Sequence, residues 1–252
     1  MPLKIISFNT WYSKFWSKMV PYLQSVNADI ICLQEVSRNW PNFGLEKVDV
    51  VEKITQALPG YSCVYAPILA RVEKGIVQDL GNLTLCKRNI VQKKIHYLFQ
   101  QPDWKIDDYE NQARNMVEVQ LDCDGELLSI FNTHLSYSAR FVDSPRKILE
   151  SQKMKKIIEK REHAILCGDL NSPPNSKVIE ELRSILPRGD YSSEFTFAKY
   201  PFDYNGFHVS SLEYKLDYVL ATSSVKIENV HVPDISISDH LPIVADVQIS
   251  TG

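Results

Sequence analysis

The stretch HAILCGDLN, residues 163–171, joins an apolar run of β-strand character to two polar residues, Asp169 and Asn171. The same pattern occurs near the N-terminus, where LKIISFN (3–9) ends on Asn9 and ADIICLQ (28–34) is followed by Glu35. Functional side chains of open α/β sheets collect at the ends of strands. We therefore expect these strand ends to meet at one site.

Further apolar, β-rich runs lie outward from this stretch. They fall at 61–67, 81–87, 115–121, 127–134, 215–221, 225–232 and 242–249. Asp124-Gly125 predicts a hairpin turn between two of them, and helical patterns fall at 16–27, 48–58, 144–162 and 175–186. The helix at 144 has Ser144 as its N-cap and Pro145 at its first position. Hairpins mixed with helical connections predict two packed sheets flanked by helices.

Composition sets the class of protein. The chain has 252 residues, 44% of them hydrophobic and 23% charged, which predicts one globular domain over residues 1–252. The net charge of −3 disfavours a non-specific DNA-binding protein. No apolar run is long enough to span a bilayer, and no signal peptide is visible, so we expect a cytoplasmic protein. Five widely spaced cysteines without a Cys-x-x-Cys motif indicate buried thiols and no zinc or redox centre.

Three more polar groups stand at strand ends: Asn132-Thr133-His134, Asp217 within LDYVL, and Ser238-Asp239-His240. Carboxylates, carboxamides and histidines together suit a hard cation, above all Mg²⁺. Without a nucleophilic Ser or Cys turn or a Gly-rich phosphate loop, a metal-activated water is the simplest nucleophile. Any one of these residues alone has a structural explanation as a turn, a helix cap, an ion pair or a solvent-facing edge residue. Their joint occurrence at strand ends favours function.

The chain resembles the endonuclease/exonuclease/phosphatase superfamily, which includes the deoxyribonuclease I-like enzymes. Six motifs taken together carry the resemblance: SFNTW, LQEV, NTHL, GDLN, LDYVL and SDHLP. The resemblance runs from Asn9 to the end of the chain. It implies an α/β fold, namely a four-layer α/β/β/α sandwich of two mixed β-sheets packed face to face with flanking helices. It also implies metal-dependent hydrolysis of a phosphoester, with Mg²⁺ as cofactor and Mn²⁺ as a possible substitute.

The resemblance also implies roles for individual residues. It assigns metal binding to Glu35, Asn9 and Asp239. It assigns the reaction itself to Asp169, Asn171, His240, His134 and Asp217. Asp169 would deprotonate the attacking water, and Asn171 and His134 would donate to phosphate oxygens. His240 would stabilise the developing charge or assist proton transfer, with Asp217 orienting its ring.

The substrate depends on the loops. Trp11 follows Asn9, Trp40 and Phe43 follow Glu35, and aromatic residues precede Asp217. These rings could stack on bases, hold an acyl chain or a sugar, or only pack the loops. Arg114 and Lys215 are candidate phosphate contacts.

The leading hypothesis is a monomeric phosphodiesterase that acts on nucleic acid. The first alternative is hydrolysis of a phospholipid, as in sphingomyelinases, or of a small phosphoester, and the near-neutral charge makes it a serious one. The second alternative is a catalytically silent binding module of the same fold. The sequence NTHL stands where abasic-site endonucleases usually carry a tyrosine-bearing motif, which disfavours that activity.

Overall fold

The computed structural model describes residues 2–40, 47–100, 112–189 and 194–250. Phe43 and the charged run 101–110 lie outside the described residues. The strands are β1 (Leu3–Asn9), β2 (Ile30–Arg38), β3 (Ser62–Glu73), β4 (Ile76–Cys86), β5 (Ile90–Phe99), β6 (Arg114–Cys123), β7 (Glu126–His134), β8 (His163–Asp169), β9 (Arg188–Gly189), β10 (Phe202–Tyr204), β11 (Phe207–Val209), β12 (Asp217–Ala221), β13 (Val225–His231) and β14 (Ile243–Ile249). The α-helices are α1 (Trp16–Val26), α2 (Val50–Ala57), α3 (Pro145–Ile158) and α4 (Lys177–Arg183), and a short 3₁₀ helix covers Ala139–Phe141.

The strands form two six-stranded sheets and one small hairpin. The first sheet has the order β13-β14-β1-β2-β4-β3, the second has the order β5-β6-β7-β8-β12-β9, and β10 pairs with β11. Both sheets are mixed, because β1 pairs in parallel with β2 and β7 in parallel with β8, while other neighbours are antiparallel.

Apolar side chains from the two sheets meet in a common core. Buried residues of this core include Ile5, Cys32, Val117, Ile130 and Ile165. A second cluster packs α1 and α2 on the outer face of the first sheet, and a third packs α3 and α4 on the outer face of the second. Each fully buried aliphatic side chain contributes about 1.5–3 kcal/mol to folding. The predicted four-layer α/β/β/α sandwich is confirmed.

Local signals explain the best-predicted helix. The Ser144 hydroxyl accepts a hydrogen bond of 3.2 Å from the backbone N–H of Lys147, and Pro145 occupies the first turn of α3. Met154 and Ile158 carry its apolar face into the third cluster. The helix ends at Ile158, four residues before the predicted end at 162.

The sequence patterns missed some strands. Strand β5 lies at the edge of the second sheet, and its run IVQKKIHYLF carries Lys93 and Lys94 on exposed positions. Charged residues are typical of edge strands and break the apolar pattern that reveals a central strand. The short strands β9, β10 and β11 were also not predicted, since two or three residues give no periodicity.

All five cysteines are free thiols. Cys32, Cys86 and Cys167 are buried as predicted, whereas Cys63 is exposed and Cys123 is half-buried, so the prediction was wrong for Cys63. Within the described ranges, no helix has both the length and the apolar character needed to cross a membrane.

Candidate active site

Strands of the second sheet bring three predicted residues side by side. In the register of the sheet, Asp169 at the end of β8 pairs with His134 on β7 and with Asp217 on β12. Gly168 permits the close approach of β7, because a Cβ atom there would lie 2.1 Å from the carbonyl oxygen of Thr133. The glycine of the GDLN motif is therefore a packing requirement of the site.

The first sheet contributes Asn9 and Glu35 from neighbouring strands. The pairing of β2 with β4 shifts between Leu33 and Val36, so Glu35 lies at a β-bulge, where its φ is 57°. Bulges redirect a side chain relative to a regular strand. The Oε2 atom of Glu35 accepts a hydrogen bond of 3.1 Å from the backbone N–H of Tyr12, which holds the carboxylate in place.

The two sheets are joined at the site by direct hydrogen bonds. The Nδ2 atom of Asn9 donates to Oδ2 of Asp169 at 3.0 Å, and both side chains are buried. The Ser238 hydroxyl donates to the carbonyl oxygen of Asn9 at 2.7 Å. This bond ties the loop that carries Asp239 and His240 to the end of β1.

His240 lies between two carboxylates. Its Nδ1 is 2.8 Å from Oδ2 of Asp217, and its Nε2 is 3.7 Å from Oδ2 of Asp169. Burial alone lowers the pKa of His240, but the charges of Asp217 and Asp169 outweigh it and raise this pKa well above the ordinary value. The ring is therefore positively charged at neutral pH, and Asp217 fixes its orientation.

His134 has the opposite character. Burial, with the nearby charge of Arg114, lowers the pKa of His134 to about 3, so the ring is neutral at neutral pH. Its Nε2 lies 3.0 Å from Nδ2 of Asn171 and 3.4 Å from Oδ2 of Asp169. The backbone N–H of Asn171 donates to Oδ1 of Asp169 at 2.8 Å. The neutral ring thus lies between the carboxamide of Asn171 and two acidic side chains, since its Nδ1 is 3.7 Å from Oε1 of Glu35.

The carboxylates of the site repel one another. Burial first, and then the charges of Asp239 and Asp169, raise the pKa of Glu35 to about 8. Burial likewise raises the pKa of Asp239 to about 6. Both shifts are those of acidic groups held together without enough positive charge.

The oxygen donors of Glu35, Asp239 and Asn9 fit a hard divalent cation such as Mg²⁺, which binds carboxylate and amide oxygens. A bound cation would supply the positive charge that the two acidic groups lack, and with it the acidity of a coordinated water. These three side chains would hold it.

A different triplet brings possible ligand atoms close together. One ligand atom each from Asp169, Asp217 and His240 lie within 4.8 Å of one another. Within it, Asp217 and His240 already form a hydrogen-bonded ion pair that needs no cation for its charge.

The predicted residues surround a cavity of about 300 Å³. All of the predicted metal and reaction residues except Asn9 and Asp217 line it, as do Trp11 and Arg114. Trp40 and Lys215 are not among its lining residues. Trp40 packs with Ile68, Leu69 and Leu80 in a separate small cluster, and Lys215 is buried with its Nζ 5.3 Å from the ring centre of Tyr218.

Lys147 was not predicted as a site residue, although it supports the site by a hydrogen bond to the backbone of Asn171. This fully buried residue of α3 donates from Nζ to the carbonyl oxygens of Asn171 at 2.6 Å and Phe141 at 3.1 Å. One signal was present: Lys147 lies on the same helical stripe as Met154 and Ile158, where a lysine is unexpected. Phe197 was also missed; its ring centre lies 4.8 Å from that of His240, and no local pattern reveals this contact.

Comparison with known proteins identifies the class. Residues 6–240 match the model of the Endonuclease/Exonuclease/phosphatase family. The chain therefore belongs to this family of phosphoester hydrolases, whose enzymes generally depend on divalent metals. No curated protein sequence matches the chain.

Solved structures agree on the fold. An endonuclease/exonuclease/phosphatase family protein from Bacteroides thetaiotaomicron superposes with a TM-score of 0.75 at 18% identity, covering 100% of this chain and 99% of that one. A mannosyl-6-phosphatase from the same species gives 0.68 at 18% identity, with 98% and 100% covered. TDP2 of D. rerio, complexed with single strand DNA product, gives 0.66 at 14% identity, with 98% and 99% covered. At these identities the likeness supports the fold alone.

Proposed function

We propose that residues 1–252 form one catalytic domain that hydrolyses a phosphodiester with Mg²⁺ and an activated water. The observation that carries the proposal is the position of Asp169. Its Oδ2 atom lies within 3.0 Å of Asn9, 3.4 Å of His134 and 3.7 Å of His240, so residues from both sheets converge on one carboxylate. A carboxylate held in this way can accept a proton from water.

The other site residues have separate roles in metal binding and in stabilising the phosphate. Glu35, Asp239 and Asn9 bind the cation. Charged His240, oriented by Asp217, stabilises the negative charge that develops on the phosphate. Asn171 and neutral His134, which hydrogen-bond to each other at 3.0 Å, exchange this bond for donation to phosphate oxygens when substrate binds. Arg114 at the cavity adds a positive charge. Lys147 positions Asn171 through its carbonyl oxygen.

Nucleic acid is the leading substrate in this proposal. TDP2, which shares the fold, was solved with a single strand DNA product, and this supports the choice by analogy only. A small phosphoester is the second candidate, because aromatic residues make up much of the cavity lining and Arg114 is the sole Lys or Arg among the described lining residues. The mannosyl-6-phosphatase of the same fold shows that such substrates occur on it. We also propose that the enzyme is a cytoplasmic monomer.

The direct test is hydrolysis of a labelled single-stranded DNA oligonucleotide in Mg²⁺, in Mn²⁺ and in EDTA. We expect cleavage with either metal and none in EDTA. Asp169→Asn should lower kcat by about 10²–10⁴-fold, the range for loss of a general base. Asp124→Asn, at an exposed hairpin turn, is the matched control and should leave kcat unchanged.

Other outcomes separate the candidates. Cleavage of a sugar phosphate or phosphocholine lipid without cleavage of DNA would replace nucleic acid as the substrate. Activity of Asp169→Asn equal to that of the wild type would remove Asp169 from the role of base. No hydrolysis of any ester would support the silent binding module.

A further inference from the structure

One wall of the cavity is built from aromatic side chains. It comprises Tyr137, Phe141, Phe197, Phe202 and Tyr204, with Pro201 beside them. Phe202 and Tyr204 belong to β10 of the small hairpin β10–β11, which stands apart from both main sheets. The wall is thus a separate element placed next to the catalytic residues.

The wall is fixed in position by ring contacts. The ring centre of Phe202 lies 5.4 Å from that of Phe197, which in turn lies 4.8 Å from that of His240. Tyr137 contacts both Phe202, at 6.0 Å, and Tyr204, at 5.5 Å. These contacts place the wall directly beside His240 through Phe197, on a packed cluster that also includes Val209 and Leu216.

Charge differs between the two sides of the cavity. Arg114 lies on the side of His134, since it begins β6, the strand that pairs with β7, and β7 ends at His134. Among the described lining residues, the aromatic wall carries one charged side chain, Asp203, whose carboxylate is 75% exposed. A carboxylate at this position repels a phosphate. Repulsion by Asp203 therefore favours an uncharged group over a second phosphate against the wall.

Size sets a second limit. The cavity of about 300 Å³ is at the lower end of the range of roughly 300–1,000 Å³ for small-ligand pockets. Flat rings of the wall offer stacking surfaces for a base or a sugar. A phosphodiester inside a strand is esterified on both sides to groups that carry further phosphates. At the end of a strand, the group on one side is a single uncharged nucleoside.

We propose that the aromatic wall accepts one terminal, uncharged ring-bearing group, which stacks on Tyr137, Phe202 and Tyr204. The enzyme then cleaves phosphoesters at a chain end or in nucleoside-sized molecules, and not inside a strand. This inference rests on the proposed function and deepens it. The reaction is addition of water to phosphorus with departure of one ester oxygen, which leaves as the alcohol after taking a proton.

The sharpest test compares linear with circular single-stranded DNA of one sequence, because a circle has no end. We expect linear DNA to be degraded roughly tenfold or more faster, because an internal phosphodiester would bring a further phosphate against the wall that carries Asp203. The p-nitrophenyl ester of thymidine 5′-monophosphate, which has one nucleoside arm, should also be hydrolysed. Equal rates on the linear and circular DNA would overturn the proposal.

Two variants probe the wall directly. Tyr204→Ala should raise KM for the thymidine ester about tenfold, since it removes a ring on which the base stacks. The matched control is Tyr97→Ala, on the exposed face of β5. Asp203→Lys, at an exposed position, should raise the rate on circular DNA about threefold or more by replacing repulsion with attraction. An unchanged KM in folded Tyr204→Ala protein, or an unchanged rate on circular DNA in Asp203→Lys, contradicts the inference.

A binding measurement separates this inference from the proposed function. Thymidine 5′-monophosphate is titrated into the protein in EDTA by calorimetry, so no turnover is required. Weaker binding to Tyr204→Ala than to Tyr97→Ala supports the wall even if no ester is hydrolysed. Equal binding to both folded variants rejects the wall, whether or not the enzyme proves to be a phosphodiesterase.

Discussion

Glu35 shows at the scale of one residue how the fold prepares a site. The bulge in β2 redirects its side chain, and the backbone N–H of Tyr12 holds one oxygen. Trp11, Tyr12 and Ser13 all have positive φ values of 49–58°, a conformation that is costly for residues other than glycine. The hydrogen bonds from Trp11 to Asn9 and from Tyr12 to Glu35 help to offset this cost. The turn therefore orients Asn9 and Glu35, two of the proposed metal ligands.

The raised pKa of Glu35 predicts how stability depends on pH without metal. The pKa of Glu35 rises from 4.5 to about 8 on folding, so between these values the folded state holds a proton that the unfolded state has released. Stability must then fall as pH rises through this window. The raised pKa of His240 acts in the same direction, because its contribution is present at low pH and lost as pH rises through the folded pKa.

We therefore expect Mg²⁺ to raise Tm more at about pH 8 than at about pH 5.5, since the cation binds the deprotonated carboxylates. Thermal unfolding in EDTA and in Mg²⁺ at both pH values measures this difference. Glu35→Gln is the control and should reduce the effect of Mg²⁺ at the higher pH. An equal increase in Tm at both pH values would argue against Glu35 as a metal ligand.

At the scale of the element, α3 acts through Lys147. We expect Lys147→Met to destabilise the protein by about 2–3 kcal/mol, because two buried carbonyl oxygens lose a charged donor. It should also lower kcat, since one of those carbonyls belongs to Asn171. Urea unfolding and steady-state kinetics measure the two effects. Lys156→Met, at an exposed position of the same helix, should change neither.

The two tryptophans predicted to contact substrate, Trp11 and Trp40, lie in different environments. Trp40 is 5% exposed and packs against Leu69 and Leu80, so Trp40→Ala should cost about 3–5 kcal/mol of stability and leave KM unchanged. Trp11 lines the cavity, so Trp11→Ala should raise KM with a smaller loss of stability. A raised KM in folded Trp40→Ala protein would return Trp40 to the substrate contacts predicted from its position after Glu35.

At the scale of the whole molecule, a buried polar contact holds the two sheets in register beneath the site. Nε2 of Gln34 on β2 donates to Oδ1 of Asn132 on β7 at 2.8 Å. Nδ2 of Asn132 donates to the carbonyl oxygens of Leu33 and Leu83, both at 3.1 Å. Asn132 lies two residues before His134, so this contact also sets how the strand ends of the two sheets meet.

We expect Asn132→Leu to destabilise the protein by about 1–3 kcal/mol, because it removes the buried hydrogen bonds to Gln34 and to two carbonyl oxygens. The double variant Asn132→Leu/Gln34→Leu should lose less stability than the sum of the single variants, since both partners are then apolar. Urea unfolding of the four proteins gives the coupling energy. Strict additivity would show that the contact does not join the sheets.

Sequence alone was sufficient to predict the layered fold, which is confirmed, and the chemistry proposed for the site. Apolar runs of strand length, the Ser144-Pro145 helix start and the polar residues after each run are local features, and local features can be predicted from neighbouring residues. The motifs around Glu35, Asp169 and His240 were sufficient to predict a metal-dependent phosphoesterase, and the family membership is now shown.

Tertiary structure alone decided which side chains meet. The bulge at Glu35, the support from Lys147, the contact of Phe197 with His240 and the separation of Trp40 from the cavity all depend on residues far apart in the chain. The hairpin that forms the aromatic wall was missed because its strands have three residues each. Strand register and sheet packing result from long-range contacts that no local pattern contains, so the sequence predicted the reaction while the packed sheets decided the shape of the cavity.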